Sequence, residues 1–145
     1  MTYPTSEDYM RAVQQPERVF RVQALKEAKF ELHPVYGIPM PASGNAAVVL
    51  KAAVDGADQA PRFFIRDDVS TSDRYDALGH HFSVRGLNDC VARATWADDA
   101  IMVKHVTWPV VQMQWVEGRT LDAYVENLAK TDDILALPFG RRLAA

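Results

Sequence analysis

Two short apolar runs bracket an Asp-Gly pair, and that local arrangement restricts the chain's fold more than anything else in it. Ala46 to Val54 reads as a strand centred on Val48, Val49 and Leu50. The Asp55-Gly56-Ala57-Asp58 stretch supplies turn chemistry, and Arg62 to Ile65 is rich in sheet-favouring side chains. Strands this close in sequence pair as an antiparallel hairpin. A parallel βαβ crossover needs a dozen or more residues between its strands, so it is excluded here.

The surrounding pattern extends the hairpin into an α+β chain. Glu7, Asp8 and the residues up to Gln14 suit a short helix capped by Ser6, with Pro16 marking its end. Ala24 to Lys29 offers another helical turn or two. Pro34, Gly37, Pro39, Pro41 and Gly44 then fall within twelve residues, a density that neither helix nor central strand tolerates. After the hairpin, Ser70, Thr71 and Ser72 are alternative caps for a helix from about Asp73 to Val84. Tyr75, Leu78 and Phe82 form its apolar stripe, and Gly86 stops it. Cys90 to Trp96 and Ile101 to His105 read as short strands around an Asp98-Asp99 turn. Val110 to Val116 is a third strand, entered at Pro109, and Leu121 to Leu128 is a helix. The expected fold is a five-stranded, mostly antiparallel sheet with one major packed helix and short N-terminal helices.

Composition narrows the function classes. The chain has 145 residues, 48% hydrophobic, which is enough for one core. Sixteen basic residues against nineteen acidic ones leave a net charge of -3, which provides no electrostatic funnel for nucleic acid. No apolar run reaches the roughly 18–20 residues that span a bilayer. The N-terminus carries no signal-peptide pattern. A single cysteine, Cys90, cannot form an internal disulfide and reads as a buried thiol at the start of a strand. Together these describe a soluble cytoplasmic chain with no nucleic-acid or membrane partner. His33, His80, His81 and His105 lack the spacing of a metal site, and no acid, base and nucleophile converge.

Three segments carry a resemblance. Gly44-Asn45-Ala46-Ala47-Val48-Val49, Gly56 through Phe64, and Val111 through Leu121 resemble, in order and spacing, the N-terminal lobe of the protein-kinase-like superfamily. The match covers about residues 40–128, and it divides the chain into an N-terminal helical extension (1–38), a lobe-like domain (39–128) and a tail or start of a second lobe (129–145). The resemblance implies five antiparallel strands, one regulatory-type helix and a site for ATP with magnesium.

Carried over by position, Gly44 matches the end of the glycine-rich loop, and Val49 lies on the strand leaving it. Two of the loop's three glycines are missing, because Pro39-Met40-Pro41-Ala42-Ser43 stands where they would be. Ser43 either donates to a phosphate or caps a turn. Arg62 takes the place of the family's strand lysine, keeping the charge but replacing a compact ammonium with a planar fork. Asp76 is its expected helix partner; alternatively, both are solvent-facing charges. Met113 matches the gatekeeper, with Gln114, Trp115 and Val116 as the hinge whose backbone N–H and C=O groups would meet adenine. Glu117-Gly118-Arg119-Thr120-Leu121 leads into the next helix.

The family's catalytic His-Arg-Asp loop and Asp-Phe-Gly motif do not occur, so the resemblance implies a bacterial kinase-like or pseudokinase chain that is catalytically incomplete by itself and binds adenine nucleotide weakly. In a longer protein the implied activity is that of an ATP-dependent serine/threonine kinase. The alternative is a non-enzymatic interaction module that self-associates or pairs with a protein partner through its exposed sheet and hinge face.

Overall fold

Asp55 and Gly56 both have positive φ, 51° and 79°, and together form the two-residue turn that matches the right-handed twist of paired strands. The computed structural model of the chain describes residues 2–67 and 71–131. Ser70, one of the alternative caps, and the tail with Asp132, Asp133, Pro138 and Gly140 lie outside the described residues.

From that turn the hairpin runs outward in one unbroken register, with Val54 opposite Ala57, Ala52 opposite Gln59, Val49 opposite Arg62 and Ala47 opposite Phe64. The ladder is nevertheless interrupted in the middle. The expected strand 46–54 is therefore two, β3 (Ala47–Val49) and β4 (Ala52–Val54), and the return strand is β5 (Ala57–Gln59) and β6 (Arg62–Phe64). Pro61 sits at the break; its carbonyl accepts from Leu50 N–H at 3.1 Å, but without an N–H it can return no bond. The outer half of the hairpin joins β1 (Lys29–Phe30) in a three-stranded sheet, ordered β1-β4-β5. The inner half belongs to a five-stranded antiparallel sheet, ordered β2-β3-β6-β8-β7, with β2 at Ala42–Ser43, β7 at Ala94–Val103 and β8 at Val106–Met113. The chain is thus α+β, as its pattern predicts, with the second small sheet as an addition.

The strands after the helix differ from the expectation. Asp98 and Asp99 do not turn the chain. They lie in an irregularity of the single long strand β7, where its register against β8 shifts between Ala97 and Ile101. Asp99 has φ 48°, and the Asp98 and Asp99 carboxylates accept from the Trp96 indole N–H (2.7 Å) and the Thr107 hydroxyl (2.6 Å). Pro109 lies within β8 opposite this irregular stretch, where a missing ladder donor is tolerated. The actual turn is Lys104-His105, both at positive φ. Cys90 is not in a strand either: it ends a short 3₁₀ turn, Asn88–Cys90, and is exposed.

Side chains alternate across the large sheet. Phe63 and Val110 face the N-terminal segment, where Tyr9, Val13, Phe20 and Leu25 complete the main core. The segment from Tyr3 to Phe30 therefore packs into the same core as the sheet. Each large apolar side chain fully buried here contributes about 1.5–3 kcal/mol. Helix α1 (Ser6–Ala12) is capped by Thr5, one residue earlier than expected. Thr5 and Asp8 form a reciprocal capping box. The Tyr9 hydroxyl donates to the Phe64 carbonyl at 2.7 Å, tying α1 to β6. Pro16 opens α2 (Pro16–Val19) at its first turn, and α3 (Gln23–Lys26) follows.

On the opposite face Ala47, Phe64 and Val111 form a smaller core with half-buried Tyr75, Trp96 and Met113. Tyr75 comes from α4 (Thr71–Val84), which closes with Gly86 at φ 66° and a bond from Leu87 N–H to the Phe82 carbonyl at 2.8 Å. Residues 2–115 form one compact unit. The second, from Val116, contains α5 (Leu121–Thr131), where Arg119 lies over the Tyr124 ring at 5.7 Å and Lys130 pairs with Glu126 at 2.8 Å.

Candidate functional site

The smaller-core face of the large sheet gathers part of the expected site. Val49, Arg62 and Val111 are directly opposed on three neighbouring strands, so their side chains share one face. Met113 is two residues beyond Val111 on β8 and shares it. The local sequence produces this directly: Arg62-Phe63-Phe64 alternates, placing Phe63 in the main core and leaving Arg62 and Phe64 toward α4.

Arg62 is half-buried. Its Nη1 donates to the Tyr75 hydroxyl at 2.9 Å, and its guanidinium carbon sits 5.5 Å from the Phe64 ring centroid. Among the described residues no carboxylate pairs with it. Asp76, the expected partner, is exposed; the neighbouring position on α4 faces Arg62 instead, because successive helical residues are rotated by about 100°. Lys51, the other cation near the hairpin, lies 3.5 Å from Glu31, 4.0 Å from Asp58 and 4.9 Å from the Trp115 ring centroid.

Ser43 and Gly44 lie at the exposed edge hairpin, where Ser43 pairs with Val48. Gly44 N–H donates to the Ala47 carbonyl at 2.9 Å, so the turn itself uses this amide. A Cβ at Gly44 would come no closer than 3.7 Å to the Ala47 carbonyl oxygen, an ordinary contact. The turn therefore does not require glycine.

The segment read as a hinge keeps fewer backbone groups for a ligand than expected. Gln114 N–H donates to Arg93 at 2.8 Å, Trp115 N–H to Asp58 at 3.2 Å, and the Met113 carbonyl accepts from Ala60 at 2.8 Å. Neither of those two amides is open to adenine. Val116, the last residue of the segment, belongs to the second unit.

Three residues missed by position matching line the cleft beside Arg62. Thr71, Arg74 and Tyr75 of α4 border, with Arg62, a cavity of about 230 Å³. Their spacing, with Leu78, is i, i+3, i+4, i+7, one helix face, and that periodicity was the signal available in the sequence. His33 is structural: its Nδ1 accepts from Val35 N–H at 3.1 Å and Tyr36 N–H at 3.2 Å. Among the described residues, no group of three or more His, Cys, Asp or Glu side chains is placed to hold a metal ion. The cations that this face brings near the sheet are Arg62 and, on α4, Arg74. No described helix is long and apolar enough to cross a membrane.

Compared with known proteins, the chain matches no family model, no curated protein and no solved structure.

Proposed function

We propose that the chain supplies the nucleotide-binding half of a kinase-like cleft and is catalytically incomplete by itself. The carrying observation is the placement of Arg62, a half-buried cation without a carboxylate partner among the described residues, on the sheet face that also bears Val49, Val111 and Met113. An apolar strip beside a guanidinium suits a flat base and its phosphates. Five antiparallel strands with a long helix between β6 and β7 agree with this reading. In it, Arg62 contacts phosphate, Met113 bounds the base pocket, and the Gln114 carbonyl is a hinge group that accepts from the base. Magnesium would arrive with the nucleotide, because the described residues hold no cluster for it.

The experiment is an amide NMR titration of the chain with ATP and magnesium, repeated on Arg62→Ala and Met113→Trp. Saturable shifts near Arg62 and Val111–Trp115, weakened by the first substitution and blocked by the second, are expected. Equal affinity in both variants would remove the nucleotide reading.

A second reading, a protein-interaction module, is favoured by a larger groove of about 500 Å³ between α4 and the start of β7. Leu78, Phe82, Val91 and Met113 contribute to it, and Leu78 is 51% exposed. An apolar groove of this kind is an association surface. Light scattering decides it, since a monomer at high concentration would contradict self-association through this face.

A further inference from the structure

Val35 and Tyr36 are the most exposed large apolar side chains among the described residues, at 78% and 73%, yet their loop is tightly bonded. Its base is closed by a bridge between Leu32 and Pro39, the latter buried. His33 N–H donates to the Ile38 carbonyl at 2.7 Å, and Gly37 N–H donates to the His33 carbonyl at 2.8 Å. The tip is held differently, by a side chain. His33 Nδ1 accepts from Val35 N–H and Tyr36 N–H, at 3.1 Å and 3.2 Å.

Those two donors fix the protonation state of the ring. An imidazole nitrogen that accepts carries no proton, so the ring is the neutral tautomer with its hydrogen on Nε2. A second proton can go only to Nδ1, where it would face both N–H groups and end both bonds. Protonation and the closed tip therefore exclude each other, and acidification favours opening. Ionisable neighbours are few. Tyr36 lies in the loop itself, its ring centroid 4.7 Å from that of His33. Glu31 stands two residues before His33 and is 3.5 Å from Lys51. Val13, Gln14 and Pro16 line a hollow with Leu32 and Gly37, and none of them titrates. Among the described residues no carboxylate forms an ion pair with the imidazole.

We propose that His33 is a pH-sensitive latch on this loop, closed while the ring is neutral and released when it is protonated. Release frees the Val35–Tyr36 tip, while the Leu32–Pro39 bridge involves no imidazole bond and persists. The change is thus confined to how two exposed apolar side chains are presented. The latch is independent of the nucleotide reading and uses none of its residues.

The test follows the whole chain by NMR from about pH 8 to about pH 5, the window across which histidine changes charge. It reads the His33 ring signals together with nitrogen relaxation of the Val35 and Tyr36 amides, with Phe30 on β1 as the monitor of the fold. Val35 and Tyr36 are expected to become mobile in step with protonation of the His33 ring, while Phe30 stays unchanged. In His33→Asn the side-chain oxygen takes the place of Nδ1 and accepts without titrating, so the tip should stay ordered throughout. His33→Ala should show the mobile tip at every pH. A tip that stays ordered while the ring protonates overturns the latch, as does the same pH dependence in His33→Asn. An ordered tip in His33→Ala overturns it too, because the imidazole bonds would then not hold the loop. Should asparagine fail to close the tip at any pH, the comparison of parent with His33→Ala decides alone.

Discussion

Arg62 on β6 donates to the phenol oxygen of Tyr75 on α4 at 2.9 Å, linking the centre of the large sheet to its packed helix. The bond is part-buried and charge-assisted, which makes it worth more than an exposed polar contact. Tyr75→Phe keeps the ring against Trp96 and removes only the acceptor. It is expected to lower stability by about 1 kcal/mol and to speed hydrogen exchange along α4. An unchanged urea midpoint with unchanged exchange would mean that this bond does not hold the helix.

The Asp8 carboxylate accepts from Thr5 N–H and from Lys104 Nζ, both at 2.9 Å. These contacts, the backbone one foremost, hold its pKa down at about 2. The folded state therefore binds this proton less readily than the unfolded chain. The resulting stability is present above the ordinary carboxylate range and is lost as pH falls through about 4 to about 2. Asp8→Asn should flatten that part of the stability–pH curve. It should also cost about 1 kcal/mol at neutral pH through the weakened capping box. Urea unfolding at several pH values measures both; parallel curves for parent and variant would contradict the assignment.

His105 occupies the second turn position between β7 and β8 at φ 65°. Side chains other than glycine, asparagine and aspartate are disfavoured there. His105→Gly is expected to stabilise the fold by about 0.5–1 kcal/mol. A lower urea midpoint would show that the imidazole makes a compensating contact.

The buried Thr71 hydroxyl has no hydrogen-bond partner. Thr71→Val should stabilise the chain by about 1 kcal/mol, measured by the urea midpoint. A destabilised variant would show that the hydroxyl is satisfied in solution.

Cys90 ends an exposed 3₁₀ turn. Its thiol should react with an aromatic disulfide reagent in the native chain nearly as fast as in urea. Reaction only after unfolding would place it in the core, as its sequence neighbours suggest.

The readable parts of the sequence were those where local chemistry and tertiary packing agree. The Asp55-Gly56 turn, the helix from about Asp73 to Val84 and its Gly86 stop follow from turn residues and periodicity, although Thr71 and Ser72, read as alternative caps, already belong to the helix. Misreadings arose where packing overrode propensity. Asp98-Asp99 has turn composition, yet Lys104-His105 makes the turn, because that pairing aligns Ile101 and Val103 with Trp108 and Val106. The split of Ala46 to Val54 depended on Pro61, distant in sequence and opposite in space. Within the site, the facing of Arg62 was legible from strand alternation. Its partner was misplaced by one helical position, and the spent hinge amides depended on pairings with Asp58 and Arg93 that no local pattern announces.

The unbroken register of the central hairpin makes its remote tip a ruler for the cleft. Counting from Asp55-Gly56, each residue toward Arg62 is assigned alternately to one side of the sheet or the other. If the turn slipped by a single position, Phe63 would face α4 and the guanidinium would enter the main core. The two residues farthest from the site along this ribbon therefore decide which way its central charge points.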